Sequence, residues 1–151
     1  MVARSAEEMA EGLAFLLARH GAIAQVLLRT ALSSSGLTPR HMMTLKHLDS
    51  GPVSQQALID MLEVDPSVLV AVLNDLEREE LALRRRDPAD RRRHIVEITP
   101  SGVAALRRSD EVLAEVEGEL FTDLSDQERT TLRALLTRIN TSPDHFSCSE
   151  D

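Results

Sequence analysis

The chain has 151 residues, 42% of them hydrophobic and 28% charged, which indicates one folded domain with at most small additional arms. Tryptophan and tyrosine are absent, so the core must be mainly aliphatic, which favours helices. No apolar stretch approaches the roughly 20 residues that cross a bilayer, and the start of the chain is acidic where a secretory signal would be basic. Cys148 is the only cysteine, which excludes an internal disulfide and a cysteine zinc cluster. We expect a cytoplasmic protein with no membrane partner.

The charge is unevenly distributed along the chain. A net charge of -8, averaged over all residues, argues against a nucleic-acid partner. Residues 84–93, however, contain six arginines and two aspartates, a local net charge of +4. Basic residues elsewhere are single or paired among carboxylates, so any contact with an anionic polymer is expected to be local.

Three helices are predicted in the first part of the chain. Apolar residues at spacings of three and four predict one long helix over residues 6–33. Thr38 followed by Pro39 predicts the start of a second helix, which continues to about Asp49. After a short extended link, Ser54 is expected to cap a third helix.

The fourth predicted helix, over residues 65–79 with Asp65 as its cap, has two different faces. The residues of its aliphatic face are Leu69, Val72, Leu73 and Leu76. The residues of its opposite, small face are Ser67, Val70, Ala71 and Asn74. Small side chains permit close approach to base edges, and Asn74 can contact adenine or a phosphate. The alternative is an ordinary solvated face, although such faces usually carry more lysine and glutamate.

A hairpin and two further helices complete the prediction. Two extended runs, 81–85 and 95–99, are joined by an arginine-rich turn and predict a β-hairpin. Thr99 opens a long fifth helix, and a capping box beginning at Ser125 opens a sixth. Residues 142–151 are expected to be a polar, disordered tail.

The predicted order is helix, helix, strand, helix, helix, strand, strand, helix, helix, which is typical of a mainly α winged helix-turn-helix. We expect residues 37–100 to be the DNA-binding domain, with the fourth helix in the major groove and the hairpin in the flanking minor groove. Long apolar stripes remain in residues 1–36 and 101–141. A second copy of the chain is the natural place to bury them, so both segments are predicted to form a dimerisation layer.

The candidate DNA contacts lie on three segments. The start of the third helix offers donors to phosphate, as any capped helix does, and the fourth helix offers its small face. On the hairpin, arginines such as Arg91 at the tip can enter a narrow minor groove, whereas the alternative is a solvated charge run. Asp87 and Asp90 are expected to pair with neighbouring arginines and shape the turn. The full set is Ser54, Gln55, Gln56, Pro66, Ser67, Val70, Ala71, Asn74, Arg84, Arg86, Asp87, Asp90, Arg91, Arg92 and Arg93.

Five runs of the chain form one pattern. They are Gly51-Pro52-Val53-Ser54-Gln55-Gln56-Ala57-Leu58, Asp65-Pro66-Ser67, Leu76-Glu77-Arg78-Glu79-Glu80-Leu81, Arg84-Arg85-Arg86-Asp87-Pro88-Ala89-Asp90-Arg91-Arg92-Arg93 and Ile98-Thr99-Pro100-Ser101-Gly102. The pattern resembles the MarR family of bacterial regulators, most specifically in its Asp-Pro-x-Asp-Arg-Arg wing, and the helix layout resembles the family over nearly the whole chain. The resemblance implies an obligate homodimer in which each subunit presents one recognition helix and one wing to half of a pseudo-palindromic operator.

The resemblance also implies ligand control. In the family, a cleft between the dimer layer and the winged domain accepts small, often anionic aromatic compounds, and binding there would release the DNA. The candidate residues are His20, Arg40 and His41. His20 lies on an apolar stripe, where a core histidine is the commoner alternative, and the other two lie in the first turn of the second helix, where plain exposure is the alternative. No cofactor is expected, and a metal site is disfavoured because His41 and His47 do not share a helix face.

At Val70 and Ala71 many members of the family carry a polar residue and an arginine, so we expect sparse direct base readout here and more specificity from the wing and from DNA shape. An enzyme is disfavoured, because the sequence has no glycine-rich phosphate loop, nucleophile motif or convincing carboxylate pair. The remaining alternative is a winged-helix interaction module without DNA binding, which the acidic net charge motivates.

Overall fold

The computed structural model describes residues 5–139 and confirms the predicted winged-helix order. In chain order, the elements are α1 Ala6–Ala10, α2 Leu13–Leu32, a 3-10 turn Ser33–Ser35, α3 Pro39–Leu48, β1 Val53–Ser54, α4 Gln55–Leu62, α5 Pro66–Arg78, β2 Ala82–Arg86, β3 His94–Ile98, α6 Pro100–Leu120 and α7 Asp126–Leu136. The predicted tail at 142–151, including Cys148, lies outside the described residues.

The prediction of one helix over residues 6–33 is wrong, because the chain is interrupted at Gly12. This glycine has an extended backbone, with φ -62° and ψ 139°, and its N–H donates to the carbonyl of Met9 at 3.1 Å. The short α1 has its own capping box, in which the Ser5 hydroxyl accepts from the N–H of Glu8 at 3.2 Å. The apolar spacing continues across the interruption, so periodicity alone does not reveal it, whereas the poor helix propensity of glycine favours a break there.

The helix starts follow the predicted caps with one exception. The side chains of Thr38, Ser54, Thr99 and Ser125 each accept a hydrogen bond from a backbone N–H of the helix that follows. Asp65 precedes α5 but its side chain makes no capping hydrogen bond, so its predicted role is wrong. The proline at the first position of α5 lacks an N–H and has its φ already fixed, which leaves the helix less dependent on a cap.

The three strands form one antiparallel sheet in the order β1-β3-β2, with β2 as an edge strand. Val96 of β3 lies opposite Val53 of β1 on one side and Arg84 of β2 on the other. The predicted hairpin is therefore confirmed, with each strand displaced by one residue from the predicted bounds.

The core lies where α3, α4 and α5 pack against the sheet and the first half of α6. The aliphatic face of α5 is buried as predicted, and Leu69 and Leu73 are completely inaccessible. The terminal helices differ, because α2 and α7 leave large apolar side chains exposed. Those residues are Leu13, Phe15, Leu16, Leu17, Ile23, Val26 and Leu27 on α2, and Leu135 and Leu136 on α7. None of the helices in the described part of the chain is long and apolar enough to cross a membrane.

A tight corner fixes the hairpin relative to α5 and α6. Glu80 adopts a left-handed conformation with φ 58°, and the N–H of Leu81 donates back to the carbonyl of Leu76 at 2.8 Å, which closes the end of α5. The hydroxyl of Thr99 donates to the Glu80 carbonyl at 2.7 Å. A Cβ atom at Gly102 would lie 2.0 Å from the carbonyl oxygen of Leu81, so only glycine fits at this position.

Candidate nucleic-acid interface

The small face of α5 is exposed as predicted. Ser67, Val70, Ala71 and Asn74 are all accessible, whereas the aliphatic residues between them are buried. Burial of one face against the core fixes the rotation of the helix about its axis. The exposed face is therefore available along about two turns, with no long side chain to hold a ligand away from the backbone.

The start of α4 presents a second polar surface. The Ser54 hydroxyl accepts from the N–H of Ala57 at 3.1 Å, which leaves its own O–H as a donor. Gln55 is half-buried, and exposed Gln56 donates weakly to Asp60 at 3.4 Å. Pro66, at the start of α5, is exposed. The Ser54 hydroxyl and the amides of Gln55 and Gln56 are suited to phosphate oxygens and have no geometry that selects a base, whereas Pro66 has no hydrogen-bond donor.

The turn of the hairpin is shaped by aspartates, but through backbone contacts. Asp87 accepts from the N–H of Ala89 at 2.8 Å, and Asp90 accepts from the N–H of Arg92 at 3.0 Å. No arginine among residues 5–139 forms an ion pair with either carboxylate. The predicted aspartate–arginine pairing is therefore wrong, because a short aspartate side chain reaches the amide two residues ahead more readily than a flexible guanidinium.

The structure divides the six arginines into two groups. Arg84 pairs with Glu77 of α5, Arg85 donates to Glu97 of β3 at 2.8 Å, and Arg86 donates to the carbonyl of Arg91 at 2.6 Å. The side chains of Arg91, Arg92 and Arg93 are exposed, and they have no side-chain partner within the described residues. The available positive charge is therefore concentrated at the tip of the hairpin.

The Arg84–Glu77 pair links the hairpin to α5. The carboxylate of Glu77 accepts from Nε of Arg84 at 2.9 Å, from Nη2 at 2.6 Å and from its backbone N–H at 3.0 Å. The backbone contact satisfies a donor on the open edge of the sheet. Hydrogen bonding to Arg84, opposed by partial burial, lowers the pKa of Glu77 from its ordinary value, and the same contact raises the pKa of Arg84. Nη2 of Arg84 also donates to Oδ1 of Asn74 at 2.6 Å.

The three predicted ligand residues lie in different environments. His20 is exposed on α2, so it is not a core histidine of this subunit, and Arg40 is exposed on α3. His41 is buried: its Nδ1 accepts from the N–H of Thr38 at 3.1 Å, and its Nε2 lies 3.3 Å from Oδ2 of Asp75 on α5. The hydrogen bond from Arg78 is the main cause of a lowered pKa at Asp75. His41 thus links the start of α3 to α5.

A cavity of about 270 Å³ lies between the end of α2 and α6, and none of the three predicted ligand residues lines it. Its wall includes Arg108 and the hydroxyl-bearing residues Ser34, Ser35 and Ser109. The Ser109 hydroxyl is buried and has no hydrogen-bond partner within the described part of the chain. This cavity could not be predicted from the sequence, because a serine on a helical stripe is an ordinary residue where two helices pack closely.

Comparison with known proteins decides the family. A model of the MarR family matches residues 35–93. The putative transcriptional regulatory protein for the hcr operon of Thauera aromatica is 39% identical over 134 residues, which cover 87% of this chain and 80% of that protein. The chain belongs to the MarR family.

Two solved structures of such regulators share the fold. The transcriptional repressor CouR, bound to a 23-mer DNA duplex, is 29% identical with a TM-score of 0.82, over 90% of this chain and 97% of that one. BpsR of Bordetella bronchiseptica, whose DNA binding is regulated by 6-hydroxynicotinic acid, is 25% identical with a TM-score of 0.77, over 85% of this chain and 93% of that one. This MarR-family chain is therefore a transcriptional regulator and not an enzyme.

Proposed function

We propose that this MarR-family regulator is a repressor that binds a pseudo-palindromic operator as a homodimer and releases it when a small molecule binds. One observation carries the DNA-binding part: α5 exposes a face of small side chains and packs against the first strand of a hairpin whose tip has three accessible arginines. A face of this kind permits close approach to base edges, and the adjacent positive charge suits a narrow minor groove. CouR, a repressor of the same fold bound to DNA, supports the assignment.

Each predicted contact has a role in this proposal. Residues 37–100 form the DNA-binding domain. The base-facing residues on α5 are Ser67, Val70, Ala71 and Asn74, and those that donate to phosphate at the start of α4 are Ser54, Gln55 and Gln56. Pro66, which has no N–H, is assigned only packing against the DNA backbone. The minor-groove residues are Arg91, Arg92 and Arg93, and those that hold the hairpin in shape are Arg84, Arg86, Asp87 and Asp90.

The dimer is inferred from the terminal helices. Leu13 is 86% exposed and Val26 is 61% exposed on α2, whereas isolated proteins rarely leave a long apolar stripe in water. We assign residues 1–36 and 101–141 to a dimerisation layer that buries these side chains against a second copy. Because the regulator must meet chromosomal DNA, we expect it in the cytoplasm.

For the effector, we place the binding site at the cavity beside Ser109. A buried hydroxyl without a partner is costly unless a ligand or water satisfies it, and Arg108 supplies a positive charge for an anion. The regulation of BpsR by 6-hydroxynicotinic acid supports a small aromatic acid. His20, Arg40 and His41 do not line this cavity, and we propose that they contact the effector only in a site completed by the partner subunit.

Mobility shift with the DNA upstream of the protein's own gene tests DNA binding. We expect saturable binding that weakens steeply as salt rises. The double variant Arg91→Gln/Arg92→Gln should bind at least tenfold more weakly with its dimer intact. The matched control, Arg107→Gln/Arg138→Gln, removes the same charge at exposed positions outside the effector cavity and should bind as wild type does. Equal affinity of the two double variants would favour the interaction module.

Titration of the operator complex with benzoate and with 6-hydroxynicotinate tests the effector. Coupling of the usual size would weaken operator binding roughly 5- to 150-fold. Ser109→Val, which removes the hydroxyl and narrows the cavity, should retain operator binding and lose the response. The matched control is Ser101→Val, at an exposed position on the same helix. A normal response of the Ser109 variant would place the effector elsewhere.

A further inference from the structure

Arg84 holds two residues of α5 at once. Its Nε and Nη2 donate to the carboxylate of Glu77 at 2.9 and 2.6 Å, and Nη2 also donates to Oδ1 of Asn74 at 2.6 Å. The two hydrogens of Nη2 suffice for both acceptors. The Arg84 side chain is only 22% exposed, so the contact is held in a partly desolvated setting. A strand of the hairpin thus fixes a side chain on the exposed face of α5.

This contact determines which atoms Asn74 presents to a ligand. A guanidinium can only donate, so the amide atom that meets it must be the oxygen. The two N–H groups of Nδ2 have no partner among residues 5–139 and remain available as donors. Recognition of adenine by asparagine requires Oδ1 to accept from the adenine amino group while Nδ2 donates to N7. Oδ1 has a second lone pair, but an amino group donating to it would lie beside the positively charged Arg84 guanidinium, which disfavours that contact relative to donation by Nδ2.

We propose that Arg84 is a specificity-positioning residue, which occupies the oxygen of Asn74, leaves Nδ2 as the group presented to the DNA, and thereby selects guanine over adenine at one position of each operator half-site. On its major-groove edge, guanine presents only hydrogen-bond acceptors, N7 and O6. The inference rests on the proposed function, because α5 must enter the major groove. It also differs from the sequence-based expectation, in which Asn74 contacts adenine or a phosphate.

The chain offers a matched control on the same strand. Arg85 lies next to Arg84 and pairs with Glu97 of β3, so it carries the same charge without a contact to α5. Lysine at either position keeps a positive charge beside the carboxylate but lacks the planar fork that serves two acceptors together. Arg84→Lys therefore releases Asn74, whereas Arg85→Lys does not.

The test is selection of bound sequences from duplexes with randomised half-sites, using the full-length wild type, Arg84→Lys, Arg85→Lys and Asn74→Ala. We expect the wild type and Arg85→Lys to prefer guanine over adenine by about tenfold at one position, the low end for a good base contact. Arg84→Lys should lose or reverse this preference, and Asn74→Ala should abolish it. Thermal melts of each variant test whether the fold is retained. If Arg84→Lys melts early, Asn74→Ala decides, because this residue is exposed.

Each contrary outcome has a distinct meaning. A wild type that selects no sequence overturns the proposed function, and this inference falls with it. A wild type that selects an operator whose profile Arg84→Lys and Asn74→Ala leave unchanged overturns only the inference. A uniform loss of affinity in Asn74→Ala, without any change of base preference, would assign the amide donors to a phosphate oxygen and would likewise overturn the guanine assignment.

Discussion

The winged unit and the terminal helices use the same apolar spacing with opposite results. In the winged unit, α3, α4, α5 and the sheet bury their aliphatic residues within the chain, and Leu45, Leu58 and Leu73 are inaccessible. On α2, residues at equivalent helical spacing stay exposed, among them Phe15 at 57%. An apolar helical stripe therefore indicates that a face is buried, but it does not indicate whether the same chain or a partner chain buries it.

The largest expected effect is at the corner where the two regions meet. Gly102→Ala would place a Cβ atom 2.0 Å from the carbonyl oxygen of Leu81 and 2.7 Å from Cγ1 of Ile98, and the Leu81 backbone cannot move cheaply. We expect a loss of more than about 3 kcal/mol in the free energy of unfolding, measured by urea titration. Gly118→Ala on the same helix is the control, because its Cβ would meet nothing within 4 Å, and it should be neutral or slightly stabilising. Equal stability of the two variants would contradict the account of the corner.

A pair of leucine truncations separates the two regions directly. Leu73→Ala should cost about 3 kcal/mol, because the side chain is completely buried within the subunit. Leu17→Ala, at a side chain 42% exposed on α2, should act through the dimer. Its melting temperature should approach that of wild type as protein concentration rises. That of Leu73→Ala should stay below the wild-type value by the same amount at every concentration. Differential scanning fluorimetry over a hundredfold concentration range makes the comparison. If the two variants showed the same dependence on concentration, Leu17 and Leu73 would not differ in whether the subunit or the dimer buries them.

A substitution on the surface of the winged unit should weaken DNA binding without lowering stability. Ala71→Glu adds a negative charge to the exposed face of α5 without disturbing buried residues. We expect operator affinity to fall about a hundredfold, which corresponds to about 2.7 kcal/mol, with an unchanged melting temperature. Ala104→Glu, on an exposed position of α6, is the matched control and should bind normally. Fluorescence anisotropy with labelled operator measures both, and the proposed orientation of α5 fails if both variants bind alike.

The smallest effect concerns the link between hairpin and α5. Arg84 lowers the pKa of Glu77 from its ordinary 4.5, so the carboxylate favours the folded state when it is ionised. This stabilisation is fully present above pH 4.5 and is lost as pH falls through the lower pKa of the folded state. At neutral pH the free energy of unfolding of wild type should exceed that of Glu77→Gln by only about 1 kcal/mol, because the ion pair is partly exposed. The difference in the free energy of unfolding should narrow below pH 4.5, and a difference that persists in acid would contradict the ion-pair account.

Most of the fold could be predicted from local signals in the sequence. Ser54, Thr38 and Thr99 mark helix starts because their hydroxyls cap the following helices, and the faces of α5 follow from spacing alone. The break at Gly12 was missed because glycine does not by itself end a helix: Gly21 lies in the interior of α2 without interrupting it. Local signals report local preferences, and the choice between two acceptable local structures depends on packing.

The candidate site was predictable in its location but not in its internal contacts. The arginine run pointed to the hairpin, yet nothing in the sequence distinguishes Arg84, which is committed to Glu77, from exposed Arg91. These contacts join residues that are distant along the chain, and which residues meet depends on how β2 packs against α5. The environment of His41 depends in the same way on Asp75, which lies on a different helix.

The central claim is that two subunits read two half-sites with α5 and the hairpin. Hydroxyl-radical footprinting of the operator, combined with the mass of the complex from sedimentation, tests it most directly. We predict two chains per duplex and protected backbone on one side of the DNA, with the half-site centres about 34 to 36 Å apart along the helix axis. One chain per duplex, or protection of a single half-site at saturation, would contradict the account.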